Sequence, residues 1–198
     1  MSDLLRAPWL YLLSQTILGA KRARKRWVVE YVKPSPGLRV LDIGCGPGYI
    51  LEYLPDVSYC GFDTSPDYIA YAKHRYGKRG KFYCQRFDAA IGAEMEPFDV
   101  VLMAGLLHHL GDLEALDLLK LIKLFLVRTG SLITLDGCYI RGQSLVAKCL
   151  LNWDRGKCVR EEREYVRLAS SVFGGACSYV RDDLFSIPYT ALVMVCRP

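Results

Sequence analysis

Val40-Leu41-Asp42-Ile43-Gly44-Cys45-Gly46-Pro47-Gly48 decides how the rest of the chain is read. Its first half sets the apolar Val40, Leu41 and Ile43 around one carboxylate, the pattern of a short buried strand. Gly44, Gly46 and Gly48 follow at alternate positions, where glycine lets a backbone turn sharply and lets another molecule approach it. Tyr49 to Leu54 is expected to form a helix behind them, with Pro47 tolerated near its first turn. Strand, glycine loop and helix in that order open a nucleotide-type α/β domain.

The loop is not a phosphate cradle, because no Gly-x-x-x-x-Gly-Lys-Ser/Thr occurs in the chain. Nor does it follow the dinucleotide fingerprint Gly-x-Gly-x-x-Gly. The third glycine comes one residue early, and Tyr49 takes its place. Asp42, two residues before the loop, suits a ligand carrying ammonium and hydroxyl groups better than one carrying phosphates. The stretch resembles motif I of the class I S-adenosylmethionine-dependent methyltransferases, and the resemblance runs from about Val40 to the C-terminus. It implies a Rossmann-like α/β fold, a seven-stranded doubly wound sheet with one antiparallel strand. It also implies S-adenosyl-L-methionine as cofactor, with Asp42, Gly44, Gly46 and Gly48 in its site.

The later positions agree with that register. Val57 to Phe62 reads as a second strand ending at Asp63, about twenty residues past the loop, where such folds place the acid that holds ribose hydroxyls. Asp63, Thr64 and Ser65 are equally able to cap the helix that begins at Pro66. Lys81 to Gln85 is a third strand. By the resemblance, Asp88 and Ala89 after it face the adenine. The fourth strand, Phe98 to Met103, carries the continuous apolar run of a strand covered on both faces. It leads through Ala104 into Leu106-Leu107-His108-His109, and the resemblance puts this loop over the cofactor's methyl group. Histidine is the side chain most readily set as a base near neutral pH, so His108 and His109 are the catalytic candidates, with one of them facing the acceptor.

Asp112 is expected to cap a helix that runs to about Val127 and stops at Gly130, before a fifth strand ending at Asp136. An irregular insert at about 137–160 follows, where the family places substrate-binding elements. Tyr139, Trp153, Asp154, Arg155 and, from the closing hairpin, Tyr189 are the candidate acceptor-site residues. That hairpin, Ala176–Arg181 with Tyr189–Cys196, is absent from a dinucleotide-binding half and argues against a nicotinamide enzyme.

The 198 residues leave room for one main domain. Residues 1–36 read as N-terminal helices lying as a lid over the cofactor site, and 37–198 as the methyltransferase domain. Leu5, Trp9, Leu12, Leu13 and Thr16 fall at helical spacing, with an interfacial membrane helix as the rival reading. The basic run follows the apolar one, opposite to a secretory signal, and no stretch is long and apolar enough for a span. A cytoplasmic protein with at most peripheral membrane contact is therefore expected. The net charge of +5 permits an anionic partner without requiring one. The eight cysteines show no metal spacing, so no metal site is expected and they read as buried apolar residues in a reducing compartment. The expected function is methyl transfer to a small-molecule acceptor by in-line displacement. The rivals are an RNA or protein methyltransferase using Lys21, Arg22, Arg24, Lys25 and Arg26, and a catalytically silent partner subunit with the same fold.

Overall fold

The computed structural model describes residues 19–153 and 157–198. The expected helix over Leu5 to Thr16, together with Asp154 and Arg155, lies outside the described residues, as does the side chain of Trp153.

Strands β1 (Arg39–Ile43), β2 (Ser58–Asp63), β3 (Gly80–Cys84), β4 (Phe98–Ala104), β5 (Leu126–Tyr139), β6 (Arg160–Glu161), β7 (Gly175–Arg181) and β8 (Ala191–Arg197) alternate with helices. The helices are α1 (Ala20–Trp27), α2 (Pro66–Tyr76), α3 (Ala89–Ala93), α4 (Asp112–Phe125), α5 (Leu145–Trp153) and α6 (Glu162–Ser170). The sheet order is β3-β2-β1-β4-β5-β8-β7. β1 to β5 are parallel, and β8 is antiparallel to both β5 and β7. This is the expected seven-stranded doubly wound sheet, to which the two-residue β6 is added alongside Cys138 and Tyr139.

The period-two alternation of the strands divides the core between the two faces of the sheet. Val40, Leu102, Ile133 and Val193 pack with Trp27, Ile50, Ile69 and Ala72. Leu41, Val101, Leu132 and Met194 pack with Leu119, Ile122, Tyr165 and Ala169 on the other face. Phe98 and Val100 fall on opposite faces although two residues apart, and the pairing of β4 with β5 shifts register between them. α1 continues as a π-helical turn, Val28–Val32, and Ala23, Trp27, Val28 and Val32 share a core cluster with the sheet.

Three local readings need correction. Tyr49–Tyr53 is a 3₁₀ turn rather than a helix, and the chain is already extended at Leu54, just before Pro55. A residue that precedes proline is disfavoured in the helical region. α4 is capped at Gly111, not at Asp112: the Glu114 carboxylate accepts from the Gly111 N–H at 3.2 Å, leaving the Asp112 side chain for another partner. α4 also ends at Phe125, and β5 begins on the next residue, so Gly130 lies inside a strand. A Cβ there would come within 2.9 Å of the Asp99 carbonyl, so close approach, not helix termination, calls for this glycine.

Phe62, the residue before Asp63, is 1% exposed, stacked on Tyr83 at 4.6 Å and edge-on to Phe87. Phe62→Ala is expected to cost about 3–5 kcal/mol, measured as a lower urea midpoint with an unchanged slope.

Candidate active site

The strand order reverses between β1 and β4, and open α/β sheets hold their ligands at that crevice, outside the carboxyl ends of the strands. The glycine loop leaves β1 there, and the histidine loop leaves β4. A Cβ on Gly44 would lie 3.4 Å from a Leu106 methyl, so the two loops pack side by side. Gly44, Gly46 and Gly48 all have positive φ, at 74°, 53° and 76°, a conformation costly for other residues. A Cβ on Gly46 would meet nothing within 4 Å, so the middle of the loop faces open space.

One carboxylate holds this loop and a second is buried beside it. Asp63 accepts from the Gly46 N–H at 2.9 Å with one oxygen and from the Ser65 N–H at 2.8 Å with the other. An ionised carboxylate has about four acceptor positions, so capacity remains on both oxygens. Ser65, rather than Asp63 or Thr64, caps α2. Asp42 is buried beneath the loop and accepts from the Tyr59 hydroxyl at 2.6 Å. Burial raises its pKa to about 7; the Tyr59 bond opposes the rise and the nearby Asp63 charge adds to it. Burial, with Asp42 and Asp63 adding, also pushes the Cys45 thiol far up, which makes it a neutral packing group.

The two histidines part company. His109 is exposed, while His108 is 4% exposed and turned inward. His108 Nδ1 lies 2.9 Å from Asp136 Oδ1, which also accepts from the His108 N–H at 3.2 Å. Asp136, itself 3% exposed, lies inside the buried run of β5, which continues to Tyr139 instead of ending at Asp136 as expected, and its Oδ2 has no partner among the described residues. Arg160 of β6 ties this loop down. Its guanidinium donates to the carbonyls of Leu107 at 3.0 Å, Leu110 at 2.7 Å and Cys158 at 3.1 Å, and to the Asp112 carboxylate at 2.9 Å. Tyr165 lies under that guanidinium and donates to the Gly137 carbonyl at 3.0 Å.

The remaining candidates are spread along the same edge. Asp88 is exposed and caps α3 through the Ile91 N–H at 2.9 Å, with Ala89 beside it, while Thr64 is exposed and Ala104 half-buried at the end of β4. Tyr139 donates to Asn152 of α5 at 2.6 Å. Tyr189 precedes β8 rather than lying in it, and its hydroxyl covers Gly137, where a Cβ would meet it at 2.5 Å. Asp136 and Arg160 were not singled out from sequence. A carboxylate following the apolar run of Leu132, Ile133 and Leu135 was a usable signal for the first. Nothing in the local sequence marks Arg160, which is 53 residues from Leu107.

A glycine loop and a strand-end acid at the switch point of this sheet, closed by an antiparallel hairpin, define the class I methyltransferase fold. Residues 41–131 match a family described as a methyltransferase domain. The chain is 32% identical over 113 residues to ubiquinone biosynthesis O-methyltransferase of Azorhizobium caulinodans, covering 55% of this chain and 41% of that protein. It is 30% identical over 100 residues to cyclopropane-fatty-acyl-phospholipid synthase of Escherichia coli strain K12, covering 46% of this chain and 24% of the synthase. The match thus spans less than half the length of either relative. The pyocyanin biosynthetic protein PhzM superposes with a TM-score of 0.73 at 17% identity, over 100% of this chain and 61% of that one. Human N-acetylserotonin methyltransferase, solved with S-adenosylmethionine, gives 0.70 at 18%, over 99% and 56%. The fold is thus that of the class I methyltransferases, and residues 41–131 are similar to a methyltransferase domain.

Because Asp42 titrates higher in the folded protein than its ordinary 3.8, the folded state holds the extra proton between that pH and about 7. Its contribution to stability is full below 3.8 and is lost as pH rises through about 7. Asp42→Asn is expected to remove this decline, so the stability difference between variant and wild type should shift in the variant's favour from pH 4 to pH 8, read by urea denaturation.

Proposed function

We propose that the chain binds S-adenosylmethionine at the β1–β4 switch and transfers its methyl group to a small-molecule acceptor, with His108 as general base. The observation that carries this reading is the buried His108–Asp136 pair, 2.9 Å apart, on the loop that packs against the glycine loop. The residues fit the cofactor. Asp63 retains acceptor capacity for ribose hydroxyls, with Thr64 beside it, and Gly46 leaves room for close approach. Asp42, which ionises at about 7, supplies negative charge beside the loop for an ammonium group above that pH; Asp88 and Ala89 are assigned to the adenine and Ala104 to the wall of the site.

When bound, the cofactor supplies a methyl group already activated on a sulfonium. The chain's main task is then to place the acceptor in line with it, which contributes about 7–11 kcal/mol in well-oriented reactions. Asp136 accepts from Nδ1–H of His108, which makes Nε2 the basic nitrogen, and its charge favours the imidazolium once a proton is taken. His109, exposed beside it with ring centroids 4.2 Å apart, is the alternate base. Tyr139 and Tyr189 are assigned to the acceptor walls, with Asp154 and Arg155 as polar groups of the same insert. The names of two relatives concern a quinone and a fatty-acyl phospholipid, which supports an acceptor with an apolar body. An RNA or protein acceptor is less supported, because Arg26 of the basic run is engaged with Glu30 and Asp183 and Arg24 lies over Tyr49.

Asp63→Ala is expected to weaken S-adenosylmethionine binding at least tenfold, a loss of about 1.4 kcal/mol. Unchanged calorimetric affinity in a folded variant removes Asp63 from the ribose role. Once a labelled-methyl screen of metabolite extracts has supplied an acceptor, His108→Gln should lower kcat by about 10²–10⁴ with cofactor affinity intact. Full activity in both His108→Gln and His109→Gln would show that no histidine base operates.

A further inference from the structure

We propose that the outer face of α5 docks on an anionic lipid surface. α5 buries Ala147 and Leu151 against the fold but leaves Leu145 82% and Val146 56% exposed. These two, with Cys149 and Leu150, line a groove on the outside of the helix. The outer face of a helix on a globular protein normally carries polar residues. A continuous apolar stripe there marks a surface made for another apolar phase.

The charge of the segment that carries the stripe selects the partner. Between Gly137 and Arg160 the sequence has Arg141, Lys148, Arg155, Lys157 and Arg160 against one acid, Asp154. Arg160 is consumed by the histidine loop, whereas Arg141, Lys148 and Lys157 are exposed. Apolar side chains on one helix face, with Lys148 exposed on the same helix and a basic segment flanking it in sequence, suit insertion among anionic headgroups, each basic residue near the surface strengthening binding about fivefold. A second protein would have to meet this basic segment with acids; a second copy of this chain brings another basic segment.

The location ties the surface to the site. Leu151, on the inner face of α5, and the Tyr189 hydroxyl both crowd the position where a Cβ on Gly137 would be, at 2.6 Å and 2.5 Å. Gly137 follows Asp136, the partner of His108. A bilayer against α5 therefore lies beside the proposed acceptor site, and an acceptor with an apolar body enters it from the lipid phase. This last step rests on the function proposed above; vesicle binding does not.

The full-length protein is mixed with phosphatidylcholine vesicles, with and without phosphatidylglycerol, and floated on a density gradient. Binding is expected only to the vesicles containing phosphatidylglycerol. Leu145→Glu with Val146→Glu should reduce it at least tenfold, and Lys148→Ala about fivefold. Both variants alter exposed side chains, and unchanged circular dichroism and S-adenosylmethionine affinity show that fold and cofactor site are kept. Alkylation of the exposed Cys149, followed by peptide mass spectrometry, should be fast without vesicles and slowed by phosphatidylglycerol vesicles. Equal binding to both vesicle types, or undiminished binding of the double variant, overturns the proposal. So does slow alkylation without lipid, which shows that a second copy or another part of the chain already covers the face. Loss of cofactor binding in the wild type would instead count against the proposed function alone.

Discussion

The parallel strands β1 and β4 must be covered on both faces, and most of the structure follows from that. Val40, Leu41, Val101, Leu102 and Met103 are buried whichever side of the sheet they point to. A strand of this kind has no face to give to water, so helices have to lie on both sides. Parallel strands also need long crossovers, which place those helices between them in sequence. Winding outward from β1 in one direction and from β4 in the other leaves a crevice where the two directions part. Polar loop residues collect there because the rest of the two central strands is sealed.

Charge inside such a shell is tolerated only with partners. Asp42 has the Tyr59 hydroxyl and responds to burial by holding its proton more tightly. Asp136 has the His108 ring and backbone N–H on one oxygen. Arg160 is satisfied by three carbonyls and Asp112. Asp136 and Arg160 hold down the histidine loop, so polar residues that are costly to bury help shape the crevice.

The N-terminal helix is joined to the closing hairpin by a second set of charges nearer the surface. Arg181 of β7 bonds to Glu30, Tyr31 and Asp183, and Arg26 of α1 bonds to Glu30 and Asp183. Hydrogen bonds from Arg181, then Arg26, hold the Glu30 and Asp183 carboxyls below their ordinary values. Single exposed pairs contribute little, but a network sharing four charged side chains fixes geometry. It fastens the entry to the fold to its exit, two segments that local sequence gives no reason to join. Cysteine provides no such link: all eight are free, and only Cys138 and Cys196 are fully buried, fewer than composition led one to expect.

What the sequence by itself determined was everything whose signal is contiguous. Apolar runs bounded by glycine and acid marked the strands, and alternating glycines before Asp63 marked the loop and its acid. Those signals act within a few residues, so they survive without tertiary context. Helix ends were less legible, because β5 could claim Leu126 and Val127 once a sheet neighbour existed, and Gly130 was mistaken for a stop when it is a point of close approach to β4. The tertiary structure alone decided which histidine turns inward. His108 and His109 are equivalent in sequence, and only Asp136, 28 residues away, separates them by offering a buried acceptor to one. It also decided that Arg160 belongs to the site, since a guanidinium is useful there only when the folded loop presents its carbonyls together.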